Sequence, residues 1–383
     1  MPKKKTVEPE NPLPKFTTQD VPQALELNYM PYAMAVIVAR AIPEIDGLKP
    51  AHRKLLYTMY KMGLLTGDRT KATNVVGQTM RLNPHGDMAI YETLVRLTRD
   101  NEALLHPLID SKGTFGKHYF RDITPAASRY TEVRLAAFCR EIFKDIDKNT
   151  VDMIDNYDST TQEPVLLPTT FPNLLVTPNH GIAVGMASTV CSFNLKEVCL
   201  ATAKFITDPD TPLLKALPAP DFSTGGELLY NEAELDAVYR TGRGSFKLRG
   251  RYRVDAKNHC IEIYEIPYTT SVEAIIEKTI ALVKAGKIRD INDVRNETDR
   301  HGLKITIDYK RGTDTTVLMQ KLFALTTLQD TFSCNFNFLI DGRPRTMGIA
   351  EILTEWLRFR IGCLRRQIAC RLRQKSGFLR GAY

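Results

Sequence analysis

The sequence predicts an α+β protein of more than one domain. Three observations carry this reading. Short helical periodicities fill the first 165 residues, strand-like and helical segments mix from about 166 to 350, and the last stretch carries an apolar stripe at 3–4 residue spacing. At 383 residues the chain is too long for one ordinary core. With 43% hydrophobic and 25% charged residues it is globular in composition, which excludes collagenous and low-complexity classes. Apolar runs such as Ala33 to Val38 are far short of a membrane span. The charged N-terminus lacks the apolar stretch of a signal peptide. Seven cysteines (139, 191, 199, 260, 334, 363, 370) never form C-x-x-C and read as reduced thiols, not as disulfides or a zinc site. A cytoplasmic protein is expected.

Residues 1–28, rich in Pro and Lys at their start, are expected to form a mobile arm. A helical pattern then runs through Met34, Ile37, Val38 and Ala41. A second helix opens at Pro50, a favoured first-turn residue, and turns Leu55, Leu56 and Met59 inward. A third covers Val75, Val76 and Met80. Asn83-Pro84-His85-Gly86 breaks the chain, and Asp87 is the expected N-cap of a helix with Ile90, Leu94 and Leu97 on one face. Helix, tight turn, helix outlines a helix-turn-helix unit. Around Gly113-Thr-Phe-Gly116 the pattern becomes loop and short strand, and another helix is expected from Thr131 with Leu135, Phe138 and Ile142 at helical spacing. Helices followed by a small hairpin give a winged-helix reading for 29–165. In the mixed segment 166–350, Phe246 to Val254 and His259 to Tyr264 read as strands. Thr269 to Ala285 reads as a helix with Val272, Ile275, Ile276 and Ile280 inward. From 351 to 383, Leu357, Ile361, Leu364, Ile368 and Leu372 form the seam of a long amphipathic helix or the start of a coiled coil. That seam has no evident partner within the chain, so a longer protein is expected.

Net charge is +8, and the excess sits at the end. From Arg358 onward the chain has basic residues at 358, 360, 365, 366, 371, 373, 375 and 380 and no acid, which leaves 1–357 neutral. A basic balance is compatible with nucleic acid, but a basic helix is more often a solvated face. No G-x-x-x-x-G-K-[ST] occurs, since Gly113-Thr-Phe-Gly-Lys117 has the wrong spacing. The carboxylate pairs Asp145/Asp147 and Asp208/Asp210 lie in linker-like sequence, and no His/Cys cluster has zinc spacing. Neither an ATPase nor a metal site is expected in this chain.

The segment Ala126-Ala-Ser-Arg129-Tyr130-Thr131-Glu132-Val-Arg134-Leu changes the argument. It stands in order with Tyr32-Ala-Met-Ala-Val-Ile-Val-Ala-Arg40, Asp46-Gly-Leu-Lys49-Pro-Ala-His52-Arg53 and Pro84-His85-Gly86-Asp87. Leu174-Leu-Val, Gly181-Ile182-Ala-Val-Gly-Met186-Ala, Thr224-Gly-Gly226, Tyr239-Arg-Thr-Gly-Arg-Gly244 and Glu265-Ile-Pro-Tyr268 follow. From about residue 28 to the end, this series resembles the A subunit of bacterial type IIA DNA topoisomerases.

The resemblance implies a winged-helix DNA breakage domain at 29–165, a tower domain at 166–350 and the start of a coiled-coil arm at 351–383. Tyr130 would be the nucleophile that forms a 5′-phosphotyrosyl bond, with Arg129 and Arg40 at the same phosphate. A guanidinium suits the charge gathered during phosphoryl transfer. Lys49, His52, Arg53, Asn83 and His85 match DNA-contacting positions, and Ile182 matches a wedge between base pairs. Met88 and Glu92 match the positions that anchor the water–Mg²⁺ bridge of fluoroquinolones. A partner B subunit would bring ATP hydrolysis and Mg²⁺ to an A2B2 complex built on an A homodimer. The chain departs from the usual pattern at Asn83 (commonly His), Met88 (commonly Ser), Cys191-Ser192-Phe193-Asn194 and a one-residue deletion between Ile42 and Gly47, which leaves gyrase versus topoisomerase IV open. The rivals are a non-catalytic DNA-bending protein and a winged-helix regulator. Arg40, Arg129 and Tyr130 argue against the first, and the segment after 165 argues against the second.

Overall fold

A computed structural model describes residues 18–299 and 302–381, with side chains as far as 374 in the last helix. Residues 1–17 of the expected arm lie outside the described residues, as do the side chains of Lys375 and Arg380. From Val21 the chain is already helical: Val21–Ala24 and Met30–Val36 are α-helix, and Leu25–Tyr29 and Ile37–Ala41 are wider π-type turns. The Pro50–Lys61 helix starts as expected, with proline in its first turn and Lys49 extended before it. Ala72–Thr79 and Asp87–Arg96 follow. Gly86, not Asp87, occupies the N-cap position of the latter, and Asp87 is the first helical residue, where its charge suits the helix dipole.

Against these helices lies an antiparallel sheet of β1 (Thr70–Lys71), β2 (Ile109–Lys112) and β3 (Glu132–Leu135), in the order β1-β3-β2. The helix expected from Thr131 is therefore absent. Glu132-Val133-Arg134-Leu135 alternates with period two and buries Val133 and Leu135, and partners flank it on both edges. Phe138 and Ile142 owe their spacing to a 3-10 turn at Ala137–Glu141.

A small hairpin of β4 (Met153–Asp155) and β5 (Gln162–Pro164) comes next. The chain then lays down β6 (Asn179–Ile182), β7 (Ala187–Val190), β8 (Glu227–Leu229) and β9 (Arg243–Arg249). It departs through β10 (Arg251–Asp255), β11 (Cys260–Glu265), β12 (Ile291–Asn296) and β13 (Ile305–Tyr309), and returns as β14 (Gln329–Asn335). Two antiparallel sheets result, ordered β6-β7-β14-β9-β8 and β10-β11-β13-β12. The single strand expected over Phe246–Val254 is thus two, split at Gly250. A Cβ there would stand 2.8 Å from the Glu265 carbonyl oxygen, so only glycine lets the chain cross between sheets. Helices Val272–Lys284 and Thr315–Leu325 cover the second sheet. Val272 and Ile275 face inward as expected and Ile276 is partly buried, whereas Ile280 is exposed.

The main apolar cluster runs from Ile45, Leu55 and Leu56 through Phe171, Phe246 and Phe332 to Trp356, and a separate one lies under the β10–β13 sheet. A hairpin of β15 (Asn337–Ile340) and β16 (Arg343–Thr346) leads into the Ile349–Gly381 helix. Ile352, Trp356 and Cys363 are the residues by which this helix packs on the body. Of the expected seam, Leu357 is partly buried, while Ile361, Leu364, Ile368 and Leu372 are exposed on another face.

Candidate nucleic-acid interface

Tyr130 ends a tight turn in which its N–H donates to the Ala127 carbonyl at 2.9 Å. Its ring is 66% exposed, and the Arg129 guanidinium carbon lies 4.8 Å from the ring centroid. The turn itself is held from three sides. Thr73 N–H donates to the Ser128 carbonyl at 3.2 Å, and Ala72 N–H to the Thr131 carbonyl at 2.9 Å. From the Asp87–Arg96 helix, the Tyr91 hydroxyl donates to the Ala126 carbonyl at 2.5 Å and stands 3.2 Å from Thr131 Oγ1. Thr131 is fully buried, and Gly113 passes so close that an added Cβ would meet its methyl at 3.2 Å. An exposed phenol on a fixed base, beside a guanidinium, is what this sequence builds locally. Tyr91 was not visible in the sequence, because its partners lie 35 to 40 residues further on.

Arg40 and Ile182 are brought together by a glycine. Gly181 of β6 lies against the Ala41 carbonyl, where any Cβ would collide. The exposed Arg40 therefore sits one residue from the point of contact, and Ile182 one residue beyond it. Ile182 is 75% exposed beside this close approach.

The basic residues divide sharply. Lys49 donates from Nζ to the His180 carbonyl at 2.9 Å, and burial together with Arg96 pushes its pKa down to about 8. His52 has its Nδ1 buried without a partner. Burial, then Lys49, Arg96 and Arg53, depress its pKa to about 3 and keep the ring neutral. Arg53 is 5% exposed and corrects the expectation of a DNA contact. Its Nε donates to Asp46 at 2.7 Å and its Nη2 to Asp46 at 2.9 Å and to the Leu48 carbonyl at 3.2 Å, and Glu44 takes Nη1 at 3.3 Å. Most of that guanidinium's donors are therefore taken inside the fold. Asn83 is half-buried, while His85 is exposed, its N–H donating to the Asn83 carbonyl at 2.8 Å. On the next helix Met88, 73% exposed, and Glu92 point to solvent above buried Ile90 and Leu94. Among the described residues, no group of three or more His, Cys, Asp or Glu is placed to hold a metal ion.

The sequence model of the DNA gyrase/topoisomerase IV A-subunit family matches residues 40–379. The chain belongs to that family. The matched span begins at Arg40 and takes in every site residue named above. The DNA gyrase A subunit of Borreliella burgdorferi is 40% identical over 359 residues, 91% of this chain and 44% of that protein. The gyrase A subunit of Halalkalibacterium halodurans is 38% identical over 364 residues, 93% and 43% of the two chains. A chloroplastic/mitochondrial DNA gyrase A subunit of Nicotiana benthamiana is 40% identical over 358 residues, 90% and 38%. The chain spans less than half the length of these curated relatives. No described helix is long and apolar enough to cross a membrane.

Proposed function

We propose that this chain is the DNA breakage–reunion part of an ATP-dependent type IIA topoisomerase, an isomerase of class EC 5.6.2.2. The observation that carries the reading is the exposed Tyr130 hydroxyl on a turn pinned at Ser128, Ala126 and Thr131, with Arg129 beside it. The phenolic oxygen attacks a backbone phosphorus and loses its proton. The bond from phosphorus to the 3′-oxygen breaks, that oxygen takes up a proton, and the 5′-phosphate stays on Tyr130. Arg129 and Arg40 hold the charge that gathers on the non-bridging oxygens. Because the ester conserves the energy of the broken bond, resealing is the same step reversed and needs no nucleotide.

Lys49, His52, Asn83 and His85 contact the duplex backbone in this reading, and Ile182 unstacks a base step and bends it. The three-stranded sheet with the Pro50–Lys61, Ala72–Thr79 and Asp87–Arg96 helices serves as the winged-helix breakage domain over 29–165. The segment 166–350 forms the tower, and the Ile349–Gly381 helix opens a coiled-coil arm. In this reading Mg²⁺ and ATP are brought by a partner B subunit in a cytoplasmic A2B2 complex, built on two copies of this chain, that passes a second duplex through the break. The test is covalent protein–DNA adduct formation with Mg²⁺ and the B subunit. Tyr130→Phe is expected to abolish the adduct while leaving DNA affinity nearly unchanged, since affinity comes mainly from phosphate contacts. An adduct formed by the Tyr130→Phe protein overturns the assignment.

A further inference from the structure

A second concentration of positive charge lies apart from Tyr130. A hollow of about 400 Å³ opens between the end of the Asp87–Arg96 helix, the loop at 118 and strands β6, β7 and β14; Arg96, His118, His180, Tyr268, Thr269 and Ser333 are among its lining residues. Arg96 and Tyr268 both line it, and the Tyr268 hydroxyl donates to the Ala103 carbonyl at 3.0 Å. The His118 ring stands 4.8 Å from the Tyr268 ring. Behind the hollow, Lys49 reaches the His180 carbonyl, and His52 keeps its unpartnered Nδ1.

The charges around the hollow are one-sided. Burial is the largest cause holding His118, His180, His52 and Lys49 below their usual pKa values, and repulsion from Arg96 acts on all four. No acid is among the lining residues: Asp46 and Glu44 pair with Arg53, and Asp330 of β14 approaches only through the lining Thr269, whose hydroxyl donates to it at 2.5 Å. A half-buried group of cations and imidazoles without a carboxylate is destabilising until an anion enters. In β6, Asn179 and Gly181 are buried while His180 and Ile182 are exposed, so the last two project from one face roughly 7 Å apart.

The geometry points to this hollow as the seat of one backbone phosphate of the bound duplex, anchored by Arg96, with His118 and His180 as donors, beside the base-pair step that Ile182 enters. This rests on the DNA-binding reading above. An arriving phosphate favours the protonated imidazoles, so the seat binds more tightly as pH falls below about 6.5 toward the value of about 4 at which His118 titrates in the free chain.

The experiment is binding of a fluorescent duplex to the chain, titrated between about 50 and 200 mM salt. Arg96→Gln is expected to weaken binding about tenfold and to flatten the plot of log K against log salt by about one unit. Ser333→Asp, which sets a carboxylate at the rim of the hollow, is expected to weaken binding at least as much. His118→Gln should remove most of the gain in affinity on acidification. Arg253→Gln, on the outer sheet and paired with Glu262, should change none of these. If the unaltered chain binds duplex and the Arg96 and Ser333 variants bind it equally, the phosphate seat is overturned and the DNA reading stands. Failure of the unaltered chain to bind duplex overturns both.

Discussion

Arg53 and Ile182 show how a residue's type and its environment part company. Arg53 belongs to a basic Lys-x-x-His-Arg run that invites a nucleic-acid role, yet it is the buried counter-charge of Asp46, which also accepts the Leu48 and Leu167 N–H groups. Arg53→Ala is therefore expected to cost about 3–5 kcal/mol of stability, because it strands a buried carboxylate. Urea denaturation reads this directly, and a loss of DNA affinity with unchanged stability would contradict it. Ile182 behaves in the opposite way. Exposed as it is, Ile182→Ala should shift stability by no more than about 0.5 kcal/mol while reducing DNA bending and cleavage. A loss of the 2–5 kcal/mol typical of core truncation, roughly, would mark it as packing instead. Sequence reading could separate neither case, because exposure is decided by segments far along the chain: Ala41 against Gly181, and Leu167 against Asp46.

Elements were legible where one period dominated. The Pro50–Lys61 and Asp87–Arg96 helices appeared because proline, glycine and a clean apolar face agree locally. β3 did not, because Leu135, Phe138 and Ile142 imitate a helix while the strand partners that outvote them, Ile109–Lys112 and Thr70–Lys71, lie at least 20 residues away. The chemistry-bearing residues of the interface came from a resemblance, and their supports, Tyr91 and Gly113, from the structure alone. One consequence belongs to the Asp87–Arg96 helix. Met88 and Glu92 are four apart on its outer face, where fluoroquinolone anchoring in the resembled family uses a hydroxyl and a carboxylate. A thioether is at best a weak acceptor and is bulkier than a hydroxyl. Met88→Ser is expected to raise drug-stabilised cleavage several-fold to about tenfold in apparent affinity. Equal titration midpoints for the two proteins would show that Met88 does not govern the bridge.

For the molecule as a whole, the cationic cluster makes folding stability respond to acid. His118 and His52 have folded pKa values of about 4 and about 3, below their ordinary value, so the fold favours their neutral forms. Their contribution is complete above about pH 6.5 and is lost as pH falls toward those folded values. The melting temperature of the free chain should drop from about pH 7 to about pH 5, and His118→Gln should flatten that drop. An unchanged slope would mean that His118 is not held neutral. Added duplex should oppose the acid loss, since a phosphate in the hollow stabilises the protonated rings.

The terminal helix is riveted over its first half. Trp356 donates to Thr169 Oγ1 at 3.3 Å, Arg360 to the Pro168 carbonyl at 3.2 Å, and Arg366 to Asn149, Val151 and Asp152, while Gln367 reaches Asp145. Arg371 pairs with Asp145 at 3.6 Å, and from there the helix continues to Gly381, about 15 Å at 1.5 Å per residue. In mechanical terms it is a lever clamped to the segment at 145–169, which begins about ten residues after β3, the strand that follows the Tyr130 turn. Tilting the clamp by about 10° moves Gly381 through roughly 2–3 Å. A small rotation of that segment is thereby turned into a displacement large enough for a neighbouring helix to register.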